Sequence, residues 1–444
     1  MSTAFNAPGL ELHASIRDND PKRLQLLIDA LSPVDLHERL QTDDGDWGMP
    51  LHVAVMCDNS AAVDVLLSAG SNALIFRRIG DDAATPLSIA ARQGNRALLR
   101  QLLQHIDPDH HAGNYLGFQF CLVQAAMYGQ TSTIADLLDW WDGWSPKARE
   151  YALRWAAMRW KVDAVKLLLS KLSFEQQLLD TALCDASDFK SRMVYETIID
   201  YEGIDYFEQQ QLITLLVDAG ANPNTTLSGE PLIQQETLHY ITLPSQYVSI
   251  KARQKHDYMR QTASRHREDG KQLSEVIVTA RLLLTHGADP LITTAEGWTP
   301  LHCLALYFDK DISSETTQMV ENLVLAGANV NAQALFPVQN PLPGPLKPSN
   351  LTTFGWGHQV EEIIKYPATK GMVIRSGLTP LHFAATYGAV GMVKALLSHG
   401  ANPAAEDSNE TSPAKTAGES TRLEYHRDAQ AEIVSLLIDA GGSY

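Results

Sequence analysis

The apolar positions of the chain recur as pairs of short helical stretches. In "TPLHFAATYGAVGMVKALLSHGANP", Thr379 to Pro403, Thr379 and Pro380 open one helix, and Ala384 and Ala385 form its small-residue face. A second helix carries Leu396 and Leu397 and stops at Gly400. A threonine hydroxyl suits an N-cap, proline suits the first helical position, and glycine suits a left-handed C-cap. The same pattern returns from Gly48, Ala84 and Gly297, and more weakly from Cys121 and Tyr151. Leucines of the second helix anchor the series at Leu66, Leu102, Leu137, Leu168, Leu215, Leu282, Leu323, Leu396 and Leu436, behind a degenerate first unit, "LHASIRDNDPKRLQLLIDA". Two short helices cannot bury a core alone, so such units must stack.

The spacing between anchors is 36, 35 and 31 at the start but stretches to 67 between Leu215 and Leu282 and to 73 between Leu323 and Leu396. Two long insertions are therefore expected, at about 242–271 and 333–371. The first carries seven basic residues (Lys251, Arg253, Lys255, Arg260, Arg265, Arg267 and Lys271) against three acids. The second has five prolines between Pro337 and Pro348, which predicts extended chain, then a short helix near Val360 to Lys365.

The motifs at Thr379 to Asn402 resemble the TPLHxAAxxG and LLxxGAxxN patterns of the ankyrin-repeat family. The resemblance implies an all-α fold, an ankyrin-repeat solenoid of about ten helix-turn-helix units with two long insertions. It divides the chain into a degenerate N-terminal capping repeat (1–47), central repeats (48–230), a repeat with the basic insertion (231–290), repeats with the Pro-rich insertion (291–403) and a C-terminal capping repeat (404–444).

Composition narrows the partners. The formal charge of −17 repels phosphate backbones and anionic lipids, so nucleic acid is not expected as a partner, whereas a basic protein is. No stretch approaches the length of a membrane span, and no signal-like segment opens the chain. Cys57, Cys121, Cys184 and Cys303 lie far apart without a CxxC pair, which fits a reducing cytoplasm and neither a zinc site nor a disulfide framework.

Five of eight tryptophans crowd into Asp139 to Trp160. Trp155 stands where Val53, Ile89 and Phe383 stand in sister units and is expected in the core. Trp160 replaces the glycine seen at Gly94, Gly129 and Gly388, which predicts a helix that continues where its sisters turn. Trp140, Trp141 and Trp144 are expected to fill space at the hairpin, with a surface patch at Trp141 and Trp144 as the alternative.

The resemblance places recognition on the hairpin tips and on the two variable residues after the small pair. Mapped here, these include Met56 and Cys57, Arg92 and Gln93, Met127 and Tyr128, Met158 and Arg159, Leu306 and Tyr307, and Thr386 and Tyr387. Met56, Arg92, Met127, Tyr128, Met158, Arg159, Tyr307 and Tyr387 are the expected partner contacts, since tyrosine anchors interfaces and methionine adapts to them. His52, His302 and His382, with His13 as a degenerate counterpart, are assigned to hydrogen bonds between repeats. Asp107, Asp109, His110 and His111, and His358, Glu361 and Glu362, carry metal-compatible side chains but read as solvated surface, so no metal or cofactor is expected. Nucleotide-binding, zincin and serine-hydrolase motifs are absent from the sequence.

Three functions remain open at this level: a protein-interaction module, an inhibitor that occludes one enzyme, and an enzyme whose pocket is built by the insertions around Tyr247, Phe336, Phe354 and Trp356. The first is favoured, and the basic insertion is an internal plug in one version of it.

Overall fold

The structure is a computed structural model and describes residues 10–45, 47–79, 82–111, 113, 115–187, 206–225, 262–293, 297–307, 309, 313–339, 372–420, 423 and 426–444. The chain divides into two compact units, Met1–Phe174 and Glu175–Tyr444.

In the first unit, five inner helices stack in series: α1 (Glu11–Arg17), α4 (Pro50–Met56), α6 (Pro86–Gln93), α9 (Phe120–Met127) and α11 (Pro146–Met158). Each is followed by an outer helix, respectively α2 (Pro21–Asp29), α5 (Ser60–Ser68), α7 (Arg96–Leu103), α10 (Thr131–Trp140) and α12 (Val162–Lys171), which touches the outer helices beside it. Two further helices, α3 (Pro33–Leu40) and α8 (Pro108–His111), a π-helical turn (Tyr115–Gln119) and an antiparallel hairpin of β1 (Arg77–Ile79) with β2 (Asp82–Ala84) connect the pairs.

Local chemistry sets the helix starts. Thr85 accepts the amide of Ser88 at 3.1 Å ahead of Pro86, and Ser145 accepts that of Ala148 at 3.2 Å ahead of Pro146. Asn59 does two jobs. Its carbonyl oxygen accepts from the amide of Ala62 at 3.0 Å, and its amide donates to the carbonyl of Ile16 in the preceding repeat at 3.1 Å. The small pairs Ala90 and Ala91, Ala125 and Ala126, and Ala156 and Ala157 are all fully buried, so the inner helices approach closely. Leu66, Leu102, Leu137 and Leu168 are fully buried beneath them.

Trp160 corrects the expectation that α11 runs on. The helix ends at Met158, and Trp160 adopts φ 53, beside φ 69 at Gly94 and 71 at Gly129. Asn19 and Asp58 take the same left-handed turn at φ 54 and 55. The repeat therefore imposes the turn whatever residue occupies it. For a bulky residue this conformation costs on the order of 1–2 kcal/mol, which the complete burial of the Trp160 indole offsets.

The second unit contains α13 (Gln176–Ser187), α14 (Tyr206–Asp218), α15 (Thr262–Thr285), α16 (Pro300–Leu304), α17 (Ser313–Leu325), α18 (Pro380–Tyr387), α19 (Val390–Ser398), α20 (Pro413–Glu419) and α21 (Arg427–Asp439). The end of the basic insertion, 262–271, is helical and belongs to α15, while Lys251, Arg253, Lys255 and Arg260 lie outside the described residues. At three of the leucine anchors the residue after the anchor is the fully buried one: Leu216, Leu283 and Leu437, each of which precedes by four positions a glycine of positive φ, Gly220, Gly287 or Gly441.

The Pro-rich insertion leaves and returns through an antiparallel ladder of β3 (Ala334–Gln339) and β4 (Met372–Leu378), closed by the pair Gln339 and Met372. Pro337 lies in β3, extended as expected; Val360 to Lys365 lie outside the described residues. The repeats on either side of the ladder are joined directly. The Trp298 indole N–H donates to the carbonyl of Leu335 at 2.9 Å and its ring meets Phe383 edge-on at 4.7 Å, while Asn331 donates to the carbonyl of Gly400 at 3.1 Å.

Candidate functional site

The repeat period turns the first variable residue of each inner helix into a column. In the first unit it reads Arg17, Met56, Arg92, Met127 and Met158, and each of these side chains is half-buried. Beside it run Asp18, Cys57 and Gln93, all exposed, then Tyr128, half-buried, and Arg159, which is only 6% exposed. Arg17 enters the column because His13 aligns with His52, a reading the sequence permitted.

Tyr128 is the best-held member. The guanidinium carbon of Arg92 lies 5.7 Å from its ring centre and that of Arg159 lies 5.1 Å away, one from the repeat before and one from the repeat after. Such contacts fix a ring at modest energetic gain, about 0.5–1 kcal/mol each where solvent reaches them. Gln130 donates to the carbonyl of Arg92 at 3.0 Å and Gln93 to that of Met56 at 3.4 Å, so side chains from one repeat satisfy the helix ends of the repeat before it. Asn95 donates to Asp58 at 2.5 Å in the same sense.

Three expected contacts are corrected. Tyr307 is fully buried, Tyr387 is 4% exposed, and Arg159 is buried under the aromatic contact just described. In the second unit α16 stops at Leu304, and the turn that follows leaves Leu306 and Tyr307 inside. Around Tyr387, Thr386 spends its hydroxyl on the carbonyl of His382 at 2.8 Å, and Ser420 covers the end of α18 by donating to the carbonyl of Thr386 at 2.7 Å. The part-exposed column belongs to the first unit.

In the tryptophan-rich stretch Trp144 and Trp160 are packed inside, while Trp140 and Trp141 are half-buried. Phe118, fully buried, stacks on Trp144 at 5.4 Å and meets Trp140 and Trp141 edge-on at 5.8 and 5.1 Å. Trp144 is 2% exposed and donates to the carbonyl of Leu137 at 3.4 Å; Trp141 donates to Asp109 at 3.2 Å. Trp155, expected in the core, is only half-buried.

Three of the signature histidines, His13, His302 and His382, tie repeats together. In His302 and His382, Nδ1 accepts from the amide of Thr299 or Thr379 at 3.1 Å, which leaves Nε2 protonated to donate to the carbonyl of Leu378 at 3.2 Å or Thr411 at 3.1 Å. His13 reaches the carbonyl of Gly48 at 3.0 Å. His52 sits near the carbonyls of Ile75 and Ala84, which favour its protonated form, although neither contact has good hydrogen-bond geometry. Burial outweighs those carbonyls and holds both His52 and His382 at about 4.

Asp107 accepts the amide of Asp109 at 3.1 Å and so opens α8, on which His110 and His111 stand edge to face at 5.0 Å. Tyr247, Phe354, Trp356, His358, Glu361 and Glu362 lie outside the described residues, and Phe336 pairs with Arg375 in the ladder. One buried acid had no signal in its own segment. Asp309 is fully buried, and its carboxylate accepts the amides of Gly391 at 2.9 Å and Met392 at 2.7 Å.

Among the described residues no helix is long and apolar enough to cross a membrane. The family model for ankyrin repeats in three copies matches residues 12–112, and that for the single ankyrin repeat matches 296–335 and 376–408. No curated protein matches the chain. Ankyrin repeats generally serve as protein–protein interaction modules. The stacked helix pairs, the Thr-Pro-Leu-His starts with their bridging imidazoles and these matches have one meaning: the chain carries ankyrin repeats in both of its units.

Proposed function

We propose that the first unit binds a protein partner across Met56, Arg92, Met127, Tyr128 and Met158. The observation that carries this reading is the contrast between units: the column is part-exposed on consecutive inner helices of the first and closed at Leu306, Tyr307, Thr386 and Tyr387 in the second. Polarizable methionines around a tyrosine held in place by neighbouring guanidinium groups suit a surface that must adapt to a partner without losing its anchor. The charge of −17 supports a partner that is basic as a whole, because long-range steering responds to whole-protein charge. Cys57, Cys121, Cys184 and Cys303 are all free thiols, which supports action in the cytoplasm.

The test is a photo-crosslinking residue at Met127, compared with the same residue at exposed Lys166 on α12. Irradiation in lysate of the source cells is expected to give a protein adduct from position 127 alone. Equal labelling from both positions, or none from either, removes the reading.

A further inference from the structure

We infer that the column's occupant is an extended polyproline-II segment with apolar residues facing Met56, Met127 and Met158 and a carboxylate facing Arg92; this rests on the reading above. Stacked inner helices lie about 8–10 Å apart. A polyproline-II helix advances about 9 Å per turn of three residues, so every third side chain returns to the same edge one repeat further on. A β-strand covers a similar distance in three residues, but its period of two turns every third side chain to the opposite face.

An α-helix laid across the stack would meet the spacing at every seventh residue, about 10.5 Å. It needs an apolar stripe broader than about 100°, however. Apart from Tyr128 beside Met127, the column is one residue wide, and its exposed neighbours are Asp18, Cys57, Asp58 and Gln93. A ligand that offers one side chain per turn fits this width and a helix does not.

Charge sets the fourth position. Among the column's five members, Arg17 and Arg92 are cations and none is acidic. Arg17 stands at the end of the column, outside the span of the three methionines. Arg92, between Met56 and Met127 in repeat order, faces the ligand residue between its first two apolar anchors, where a carboxylate is complementary. The recognised pattern is therefore apolar, two free positions, acidic, two free, apolar, two free, apolar, in either chain direction.

Phage display of random 12-residue peptides against the full chain tests this. Enriched sequences are expected to show apolar residues three and six apart with an acid at the remaining third position. Replacing Met127 and Met158 by Glu together is expected to weaken those peptides by tenfold or more, and Arg92→Glu to be rescued by exchanging the peptide's acid for Lys. Should the double variant fold poorly, peroxide footprinting of the unaltered chain replaces it, and bound peptide is expected to protect Met127 and Met158 from oxidation. A period of seven, no periodicity, no enriched peptide, or binders indifferent to all of these changes overturns the inference. A crosslinked partner at Met127 combined with any of those results leaves the proposed function standing and removes only the extended segment.

Discussion

Asp309 caps the helix that Ala389 begins. In the first unit Asp20, Asn59 and Asn95 occupy the N-cap of their own outer helices and accept its free amides. Ala389 holds that place for α19 and has no side chain to do so. The carboxylate comes instead from Asp309, four residues before α17 in the preceding repeat and 82 residues before Gly391, and takes both Gly391 and Met392. It joins the two repeats that flank the Pro-rich insertion.

Removal of this cap is expected to be costly and repairable. Asp309→Ala strands two buried amides and should lower unfolding free energy by about 2 kcal/mol in urea titration. Adding Ala389→Asn to that variant, which restores a cap within the helix's own repeat, should recover about half. Equal stability of Asp309→Ala and the unaltered chain would show that the two hydrogen bonds carry no net weight.

Acid stability follows from buried groups with opposing signs, His52, His382 and Asp309, with His13, which burial also pushes down, acting in the same direction as the other two histidines. Burial holds His52 and His382 at about 4, below the ordinary 6.5, so the unfolded chain binds more protons between those values. Their contribution is fully present above pH 6.5 and is lost as pH falls to 4, about 3 kcal/mol each. Asp309 is raised to about 6 from 3.8, chiefly by burial, so the folded chain binds more protons in that window and gains about 3 kcal/mol as pH falls through it. His52, His382 and Asp309 alone predict a loss of about 3 kcal/mol between pH 7 and about 4, to which His13 adds in the same direction. Asp309→Asn removes the compensating group, and urea midpoints across that range should fall more steeply. An unchanged slope in Asp309→Asn would exclude the compensation.

Arg375 and Asp407 form a second joint in the same region, an ion pair with Asp407 fully buried and Arg375 nearly so. Asp407 also accepts the amides of Asn409 at 2.9 Å and Thr411 at 3.1 Å. Breaking such a pair leaves an uncompensated buried charge. Asp407→Ala should cost about 3–5 kcal/mol, whereas Arg375→Met with Asp407→Leu should cost less than Asp407→Ala alone. Thermal unfolding of the two variants decides the order.

What could be read in the sequence was whatever the repeat expresses locally. Threonine, proline and glycine mark helix ends through backbone preferences, so the helix pairs and the positive-φ glycines were legible residue by residue. The register of Leu216, Leu283 and Leu437 was not, because adjacent leucines look alike until one of them faces the core. Tyr307 and Tyr387 have partner-facing positions by alignment, but the early end of α16 and the return of the chain at Ser420 close them, and neither feature lies in the motif. Asp309 was illegible for the plainest reason: the first amide it caps, that of Gly391, is 82 residues away.

Trp160 tests whether the repeat or the residue governs the turn. Trp160→Gly relieves the left-handed strain, about 1–2 kcal/mol, but removes a fully buried indole whose loss costs about 3–5 kcal/mol. A net loss of about 2–3 kcal/mol is expected, with helical content unchanged because sister units turn on glycine at φ 69 and 71. A gain in stability would mean that strain, not burial, dominates at this position.

The ladder of β3 and β4 makes the strongest structural prediction. Gln339 and Met372 are directly paired, so the chain is already side by side where the insertion leaves and returns. The flanking repeats are held by Asp309, by the bond from His302 to the carbonyl of Leu378, by Trp298 against Phe383 and by Asn331 on Gly400, none of which draws on residues 340–371. A two-residue Asn-Gly turn suits an antiparallel ladder of this kind. Exchanging 340–371 for that turn should leave the thermal midpoint of the chain within about 3 °C of its original value, because shortening a loop changes closure entropy only slowly. Loss of cooperative unfolding in the shortened chain would mean that the segment supplies packing the two repeats cannot do without.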